Sequence, residues 1–397
     1  MSAAHPSHGS ATKGKFASLD ILRGLAIVFV LFHHLPPELH APYGIVAMAG
    51  GRGVDLFFAL SGFLIGYTTL LRAQKYAFER RSQVLSFIIL RAGRILPMYG
   101  FILLFYAAGL FSLWSPVTEI VRNHWIPYLT FTANYFFQPS LELGVLWSLS
   151  IEEQFYIFVA LSLGVVGASI KRLHWYSVAT LITALLVANG YRLYLGHQLQ
   201  LGLIDPGLHT VRFFFASPAR IDQLALGLFV GLNFPMLSTH AKACWSKLPS
   251  QLWNFAKLAV FAAVIWALLY IPYTLPIWPL LLGLVFVSAI LLLSSLDDLL
   301  PAPPTHISRV LSFIGKVSFS LYLLHPPVRT LLEHYLPQRV TTAPYLFLGV
   351  WLLTAVAVST VTYYAIEKPC IKWSKQLQSF LIGRRQRPQP ELQIAGN

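Results

Sequence analysis

Two side chains that can take part in chemistry, Arg23 and His34, lie in the first long apolar segment, LDILRGLAIVFVLFHH. Arginine can hold anionic groups such as phosphate, and histidine can accept a proton near neutral pH. On an α-helix their separation of eleven residues makes about three turns, so both face one way, roughly 16 Å apart along the axis. Asp20 shares that face, whereas His33 lies about 100° away. Titratable residues in a membrane helix are costly, so this stripe predicts a polar path through a bilayer.

The composition is that of a membrane protein. Of 397 residues, 56% are hydrophobic and only 11% are charged, against about 25% charged in soluble domains. Runs of about 20 apolar residues mark membrane spans. The chain is therefore predicted to be an all-α, polytopic helix bundle with about ten transmembrane helices, near 19–36, 54–72, 95–113, 146–168, 175–195, 220–237, 255–273, 277–296, 309–332 and 344–366.

The net charge of +14 is a topology signal and does not predict a nucleic-acid partner. If the N-terminus is cytoplasmic, the cytoplasmic segments hold 19 of the lysines and arginines and the opposite side holds four. This bias predicts that both termini are cytoplasmic and that the chain crosses the inner membrane of the cell several times, among membrane lipids. Residues 1–18 are then an N-terminal tail, and residues 371–397 a disordered C-terminal tail.

Two further polar clusters lie near the starts of the second and third spans. Asp55 opens GVDLFFALSGFLIG, where it either caps the helix or takes part in chemistry. Arg91 and Arg94 in RAGRILPMY share one helical face at the predicted cytoplasmic mouth. Their forks match phosphate oxygens, although they could instead contact lipid headgroups and only enforce topology.

The fourth span carries Ser148, Glu152 and Tyr156 on one helical face. A carboxylate two turns into a membrane helix should face the bundle interior, either for proton transfer or in a buried ion pair with an arginine such as Arg220. Arg220 and Asp222 open the sixth span, and helix pairing explains both without chemistry.

The ninth span places Ser318, Tyr322 and His325 on another stripe, in GKVSFSLYLLHPP. A single histidine in a membrane bundle more often makes an interhelical bond than takes part in catalysis. We therefore expect His325 to pack and orient other groups. Glu367 in IEKP marks the end of the tenth span and is predicted to be structural.

Taken together, these motifs resemble the membrane-bound acyltransferase-3 family of integral membrane O-acyltransferases. The resemblance covers nearly the whole chain except the tails and places a transmembrane domain at residues 19–370. It rests on seven segments in the family's order: LDILRGLAIVFVLFHH, GVDLFFALSGFLI, RAGRILPMY, LWSLSIEEQFY, ARIDQLALG, VSFSLYLLH and IEKP.

The resemblance implies transfer of an acyl group, commonly acetyl, from cytoplasmic acyl-CoA to a hydroxyl of an acceptor. The acceptor is often a carbohydrate, such as a surface polysaccharide, a glycolipid or a lipid-linked sugar. Acyl-CoA is then a co-substrate, and no permanently bound cofactor is expected. By position, Arg23 and His34 match the family's essential pair. Arg91 and Arg94 match the arginines proposed to hold the donor, and Glu152 matches the glutamate of the fourth motif.

A catalytic scheme follows as a hypothesis. His34 is predicted to be the general base, and Glu152 or Asp55 is predicted to orient its ring or to relay its proton. The predicted structural polar residues are Asp20, Ser318 and Glu367, and no metal site is expected. The residues predicted to bind the donor are Arg23, Arg91, Arg94, Tyr99, Arg220, Tyr322 and His325.

Two other classes of protein fit parts of the pattern. A proton-coupled secondary transporter of a small anionic or sugar solute also needs intramembrane histidine and glutamate. The sequence shows no paired broken helices in corresponding halves, which such carriers often have. A membrane scaffold has no need of polar faces on six helices.

Overall fold

The computed structural model describes residues 16–75, 80–109, 117–136, 141–167, 169–272, 276–297 and 305–383. Within these ranges the chain is helical and has no strand. The first nine α-helices are α1 (Ala17–His33), α2 (His40–Ala49), α3 (Gly53–Lys75), α4 (Arg80–Ala107), α5 (Val117–Asn123), α6 (Trp125–Leu129), α7 (Leu141–Gly144), α8 (Leu146–Val166) and α9 (Ile170–Gln200). The others are α10 (Pro206–Phe215), α11 (Ile221–Leu232), α12 (Phe234–Trp245), α13 (Trp253–Tyr270), α14 (Trp278–Asp297), α15 (His306–Tyr335), α16 (Pro337–Thr342), α17 (Pro344–Thr362) and α18 (Lys368–Gly383). Short 3₁₀ turns at Pro37–Leu39, Gly50–Arg52, Ala133–Tyr135, Ser217–Ala219 and Ser250–Leu252, and a π-helical turn at Tyr363–Glu367, join some of them.

The predicted class, an all-helical membrane protein, is confirmed. Every predicted span coincides with a helix: α1, α3, α4, α8, α9, α11, α13, α14, α15 or α17. Among the described residues, eight helices are long and apolar enough to cross a membrane, or nine if one bent pair counts as a single span. This is fewer than the ten predicted, because α1 has only 17 residues and α11 only 12.

The helices extend beyond the predicted spans at two places. The helix α4 begins at Arg80, so Arg91 and Arg94 lie within a continuous helix rather than at the end of a loop. Its first half begins with the polar residues RRSQ, and Arg91 and Arg94 interrupt the apolar residues that follow, which hid it from a search for apolar runs. The helix α18 includes residues 371–383 of the segment predicted to be a disordered tail. The remainders of both predicted tails, 1–15 and 384–397, lie outside the described residues.

Glycines let the central helices touch backbone to backbone. A side chain added at Gly62 of α3 would meet the Leu224 carbonyl of α11, and one at Gly227 of α11 would meet the Ala59 carbonyl of α3. Small residues of this kind allow the close approach on which helix association in membranes depends. A backbone contact of the same kind joins α1 to α15, where a side chain added at Gly315 would meet the Asp20 carbonyl. This contact fixes α1, which carries Arg23 and is directly followed by His34, against α15.

Replacing Gly62 with alanine is expected to destabilise the bundle by about 1–3 kcal/mol, because the new methyl group overpacks a backbone contact. Gly190 of α9 is the matched control, since a side chain added there meets no neighbouring atom within 4 Å. Alanine at Gly190 should leave stability unchanged or raise it slightly, because alanine favours helix more than glycine does. Thermal unfolding of both variants in the same detergent measures the difference. Equal midpoints would contradict the proposed role of the contact.

The sixth predicted span is broken. The helices α11 and α12 meet at an angle of 80° around Asn233. The Asn233 amide nitrogen donates to the Phe229 carbonyl, at 2.8 Å, and to Ser177 Oγ, at 2.9 Å, while its amide oxygen lies 2.6 Å from His174 Nδ1. These bonds supply partners for polar groups at the break, as membrane helices require where they bend.

Candidate active site

Two cavities lie at the two ends of α1. The larger, of about 350 Å³, lies at the end that carries the histidines and is called the histidine cavity. Its wall includes His33, His34, Asp55, Trp147, Arg220 and Tyr322. The smaller, of about 70 Å³, lies at the other end and is called the arginine cavity. It is lined by Arg23, Arg91, Arg94, Glu152, Tyr156 and Ser318.

The two cavities meet at Val54 and Tyr322, which line both. The Tyr322 side chain is 7% exposed, and its hydroxyl donates to the Val145 carbonyl at 2.8 Å. The same hydroxyl shares a hydrogen bond of 2.7 Å with Ser148 Oγ. Tyr322 of α15 and the start of α8 therefore form the partition between the two cavities.

Three arginines give the arginine cavity its charge. Arg23 comes from α1, and Arg91 and Arg94 come from one face of α4, where they are partly buried. The Arg91 guanidinium lies 5.3 Å from the centre of the Tyr156 ring, within the range of a cation–π contact. The buried carboxylate of Glu367 lies within electrostatic reach of Arg23 and Arg94. Among the residues that line the cavity, three arginines outnumber the single carboxylate, that of Glu152, and this suits an anionic ligand.

Glu152 is bonded within the arginine cavity. Its Oε2 atom accepts a hydrogen bond from the Tyr156 hydroxyl, at 2.5 Å, and one from Ser61 Oγ, at 3.3 Å. Ser61 and Tyr156 also contact each other. Neither group predicted to contact Glu152 is bonded to it: His34, the catalytic partner, lines the other cavity, and Arg220, the alternative ion-pair partner, pairs elsewhere.

Asp55 and Arg220 form an interhelical ion pair, with Asp55 Oδ1 2.5 Å from Arg220 Nη2 and both side chains 1% exposed. The Arg220 guanidinium lies 5.0 Å from the centre of the Trp278 ring and 5.7 Å from that of Trp147. The pair therefore joins α3 to α11 inside an aromatic cage. The predicted alternative of a Glu152–Arg220 ion pair is wrong, since this arginine takes Asp55 as its partner.

A second buried pair lies next to the first. Asp222, also of α11, pairs with Arg192 of α9 at 2.8 Å. Both side chains are almost fully buried. The two acidic and two basic residues at this end of α11 thus balance their charges across helices, which is how buried charges are tolerated in a bundle.

His34 lies directly after the last residue of α1 and lines the histidine cavity. Its Nδ1 atom lies 3.0 Å from the Val30 carbonyl oxygen and 3.2 Å from His325 Nε2. Arg329 donates to the His34 carbonyl at 2.7 Å. His33, the last residue of α1, also lines the histidine cavity, although helical phase separates it from Arg23. Its Nδ1 atom lies 2.9 Å from the Ala47 carbonyl oxygen.

The structure distributes the predicted site residues over both cavities. His34 and Asp55 share the histidine cavity, and Glu152 lies in the other one. Of the predicted donor-binding residues, only Arg23, Arg91, Arg94 and Tyr322 line the arginine cavity. Arg220 lines the histidine cavity, His325 contacts His34, and Tyr99 donates to the Tyr128 carbonyl at 2.8 Å without lining either cavity.

The predicted structural residues are divided in the same way. Ser318 lines the arginine cavity, whereas Asp20 lies on α1 opposite Gly315, outside both cavities. Glu367 accepts a hydrogen bond from Ser320 Oγ at 2.9 Å and is 2% exposed. Among the described residues, no group of three or more His, Cys, Asp or Glu could hold a metal ion.

The sequence pattern did not single out a polar network that reaches the histidine cavity at Asn134, one of the lining residues. Ser217 Oγ donates to Gln154 Oε1 at 2.5 Å and accepts from Asn134 Nδ2 at 3.0 Å. Gln154 Nε2 in turn donates to Asn134 Oδ1 at 3.0 Å. Arg329 was missed as well, although its position one helical turn after His325 was a usable signal.

The chain is similar in sequence to known acyltransferases. A family model described as an acyltransferase domain, that of the acyltransferase-3 family, matches residues 16–363. The "Putative peptidoglycan O-acetyltransferase YrhL" of Bacillus subtilis (strain 168) is 28% identical over 373 residues, which are 88% of this chain and 54% of the relative. The "O-acetyltransferase OatA" of Staphylococcus aureus (strain NCTC 8325 / PS 47) is 27% identical over 386 residues, 91% of this chain and 58% of the relative.

This chain therefore spans a little over half the length of the curated relatives that it matches. No solved structure matches it. The family model covers most of the chain, including both cavities and every helix from α1 to α17. The chain belongs to the acyltransferase-3 family of membrane proteins.

Proposed function

We propose that this protein transfers an acetyl group from acyl-CoA, bound at the arginine cavity, to a hydroxyl of a carbohydrate-type acceptor in the histidine cavity. The observation that carries the proposal is the meeting of the two cavities at Val54 and Tyr322. A positively charged cavity at one end of α1 and a histidine-lined cavity at the other would allow donor and acceptor to approach a shared junction from opposite sides.

The donor end of this proposal rests on charge and geometry. Arg91 and Arg94 project from one face of α4 toward Arg23, and arginine forks bind phosphate oxygens in two-point fashion. The phosphates of CoA would bind these side chains. The pantetheine arm would then direct the thioester toward Tyr322. In this scheme Glu152 holds Tyr156, and through it Arg91, rather than orienting His34.

The chemical step needs a base and a proton balance. The acceptor hydroxyl gives its proton to the His34 ring as its oxygen attacks the thioester carbonyl. The carbon–sulfur bond then breaks, CoA leaves as the thiolate, and the proton on His34 returns to that sulfur or to solvent. The acetyl ester remains on the acceptor. The Asp55–Arg220 pair serves this step by holding α3 and α11 together and has no direct contact with the reacting atoms in this scheme.

A carbohydrate acceptor is supported by the wall of the histidine cavity and by the names of the relatives. Trp147, Phe215 and Trp278 are among its aromatic lining residues, and aromatic rings are common partners for the apolar faces of sugars. The relatives from Bacillus subtilis and Staphylococcus aureus carry the words O-acetyltransferase in their names, and one name specifies peptidoglycan. We propose a surface polysaccharide, a glycolipid or a lipid-linked sugar as the acceptor.

The proposed orientation follows from the charge distribution. The ends of the chain and the arginine cavity would face the cytoplasm, where acyl-CoA is present, and the histidine cavity would open on the other side of the inner membrane. Labelling of single cysteines placed at Glu38 and at Lys375, with a membrane-impermeant reagent on intact cells, tests this orientation. Labelling at Lys375 but not at Glu38 would contradict it.

The purified protein in lipid nanodiscs provides the main test of function. Acetyl-CoA and peptidoglycan or lipid-linked sugar fragments should yield free CoA and an acceptor that gains one acetyl mass. CoA release that is the same with and without acceptor, or an acceptor of unchanged mass, would contradict transfer. Uptake of solute into vesicles under a proton gradient, without CoA release, would instead support the carrier class. Mass spectrometry of surface glycans from a deletion strain then identifies the acceptor.

A further inference from the structure

A chain of hydrogen-bonding groups links α15 to the ring of His34. His325 Nδ1 lies 3.0 Å from the Leu321 carbonyl oxygen in its own helix. The other ring nitrogen of His325, Nε2, lies 3.2 Å from His34 Nδ1. That atom also lies 3.0 Å from the Val30 carbonyl oxygen. Two imidazole rings are thus held in series between two backbone carbonyls.

The carbonyls determine which ring nitrogens carry hydrogen. A carbonyl oxygen only accepts, so His325 Nδ1 must be the N–H of that ring. A neutral imidazole has a single N–H, and His325 Nε2 therefore presents a lone pair to His34. His34 Nδ1 then faces two acceptors, the Val30 carbonyl and His325 Nε2, so it carries the hydrogen. The remaining nitrogen of His34, Nε2, is left with the lone pair.

We infer that His325 is a positioning residue, which holds His34 as the tautomer whose Nε2 atom is the base. The inference rests on the proposed role of His34 and assigns to His325 a function other than donor binding. When His34 takes the acceptor proton at Nε2, its ring becomes cationic. The hydrogen bond from Nδ1 to His325 then becomes charge-assisted and roughly twice as strong. His325 thereby stabilises the charge that develops during the step.

The surroundings of His325 fit this role because they leave its ring little freedom. The residue is fully buried, and its carbonyl accepts a hydrogen bond from Trp351 Nε1 at 3.0 Å. The centres of the Tyr322 and Trp351 rings lie 6.1 Å and 6.5 Å from that of the His325 ring. A fully buried ring with two aromatic neighbours has little room to turn and so keeps its hydrogen-bonding direction.

The backbone of His34 is held by the same helix. Arg329, one turn after His325, donates to the His34 carbonyl at 2.7 Å and to the Leu35 carbonyl at 3.3 Å. Glu333, a further turn along, accepts from Arg329 Nε at 2.7 Å. The last carbonyls of a helix lack helical partners, so this arginine satisfies groups that α1 leaves open. One stripe of α15 therefore fixes both the ring and the backbone of His34.

Two variants of similar size and polarity test the role of His325. In His325→Gln the side-chain oxygen can take the position of Nε2 and accept from His34 Nδ1. In His325→Asn the shorter side chain reaches only the position of Nδ1. We expect His325→Asn to lower kcat about 10- to 100-fold with little change in the KM for acetyl-CoA, and His325→Gln to recover part of the loss. Equal kcat values for the two variants would overturn the positioning role.

A second measurement determines the tautomer of His34 directly and does not depend on catalytic activity. Solid-state NMR of the full-length protein, labelled with ¹⁵N at histidine, distinguishes protonated from bare ring nitrogens, and the His34→Gln spectrum identifies the His34 signals. Hydrogen on His34 Nδ1 in the wild type, and a mixture of tautomers in His325→Asn, would support the inference. Hydrogen on His34 Nε2 in the wild type would overturn it. If the tautomer is as stated but the wild type releases no CoA, the proposed function fails and the catalytic role of His325 fails with it.

Discussion

Replacing His34 with alanine is expected to lower the rate of acetyl transfer by about 100- to 10 000-fold, the range that a general base contributes. Alanine removes the ring nitrogen that takes the proton from the acceptor hydroxyl. The arginine cavity is formed by other residues, so donor binding should survive. The measurement is CoA release in the presence of acceptor, together with acetyl-CoA binding to the same purified variant.

The control for His34 is His240, an exposed histidine in α12 whose Nδ1 atom lies 2.9 Å from the Met236 carbonyl oxygen of its own helix. Alanine at His240 should leave transfer unchanged. Transfer by His34→Ala at the wild-type rate would exclude His34 as the base. Loss of transfer together with loss of acetyl-CoA binding would show instead that the residue maintains the fold of α1.

The double variant Arg91→Ala, Arg94→Ala is expected to raise the KM for acetyl-CoA about 10- to 100-fold with a smaller effect on kcat. Each hydrogen bond to a charged group contributes about 1.5–3 kcal/mol when buried, and the partial exposure of these side chains brings the sum toward the lower end. Initial rates measured over a range of acetyl-CoA concentrations at saturating acceptor determine both constants.

The lysine pair, Arg91→Lys with Arg94→Lys, is the matched control because it keeps the positive charge and removes the fork. If the arginines bind phosphate, lysine should recover only part of the affinity, since it acts as a point charge. If the arginines only enforce topology, both double variants will show the wild-type dependence on acetyl-CoA. That result would remove them from the donor site.

Local helical geometry made much of the site predictable. The spacing of Arg23 and His34 placed them at the two ends of one helix, and the three-residue spacing of Arg91 and Arg94 placed them on one face. Helical phase separated His33 from Arg23, yet both His33 and His34 line the histidine cavity, which lies at the C-terminal end of the helix.

Contacts between distant helices were not predictable from one sequence. Arg220 was a reasonable partner for Glu152 by charge, yet it pairs with Asp55, because α3 and α11 approach closely where glycines permit it. His325 contacts His34 across 291 positions of sequence. Periodicity indicates which face of a helix is polar, but it does not indicate which other helix will pack against that face.

The partition at Tyr322 has a consequence for the membrane as a permeability barrier. Where two polar cavities meet inside a bilayer, a continuous chain of hydrogen-bonded water molecules can form, and such a chain conducts protons. The Tyr322 hydroxyl donates its single hydrogen to the Val145 carbonyl and also bonds to Ser148, so it has no hydrogen left to donate to a passing water molecule. Tyr322 would thus limit proton leakage where the two cavities meet, which proton-flux measurements on reconstituted vesicles can check.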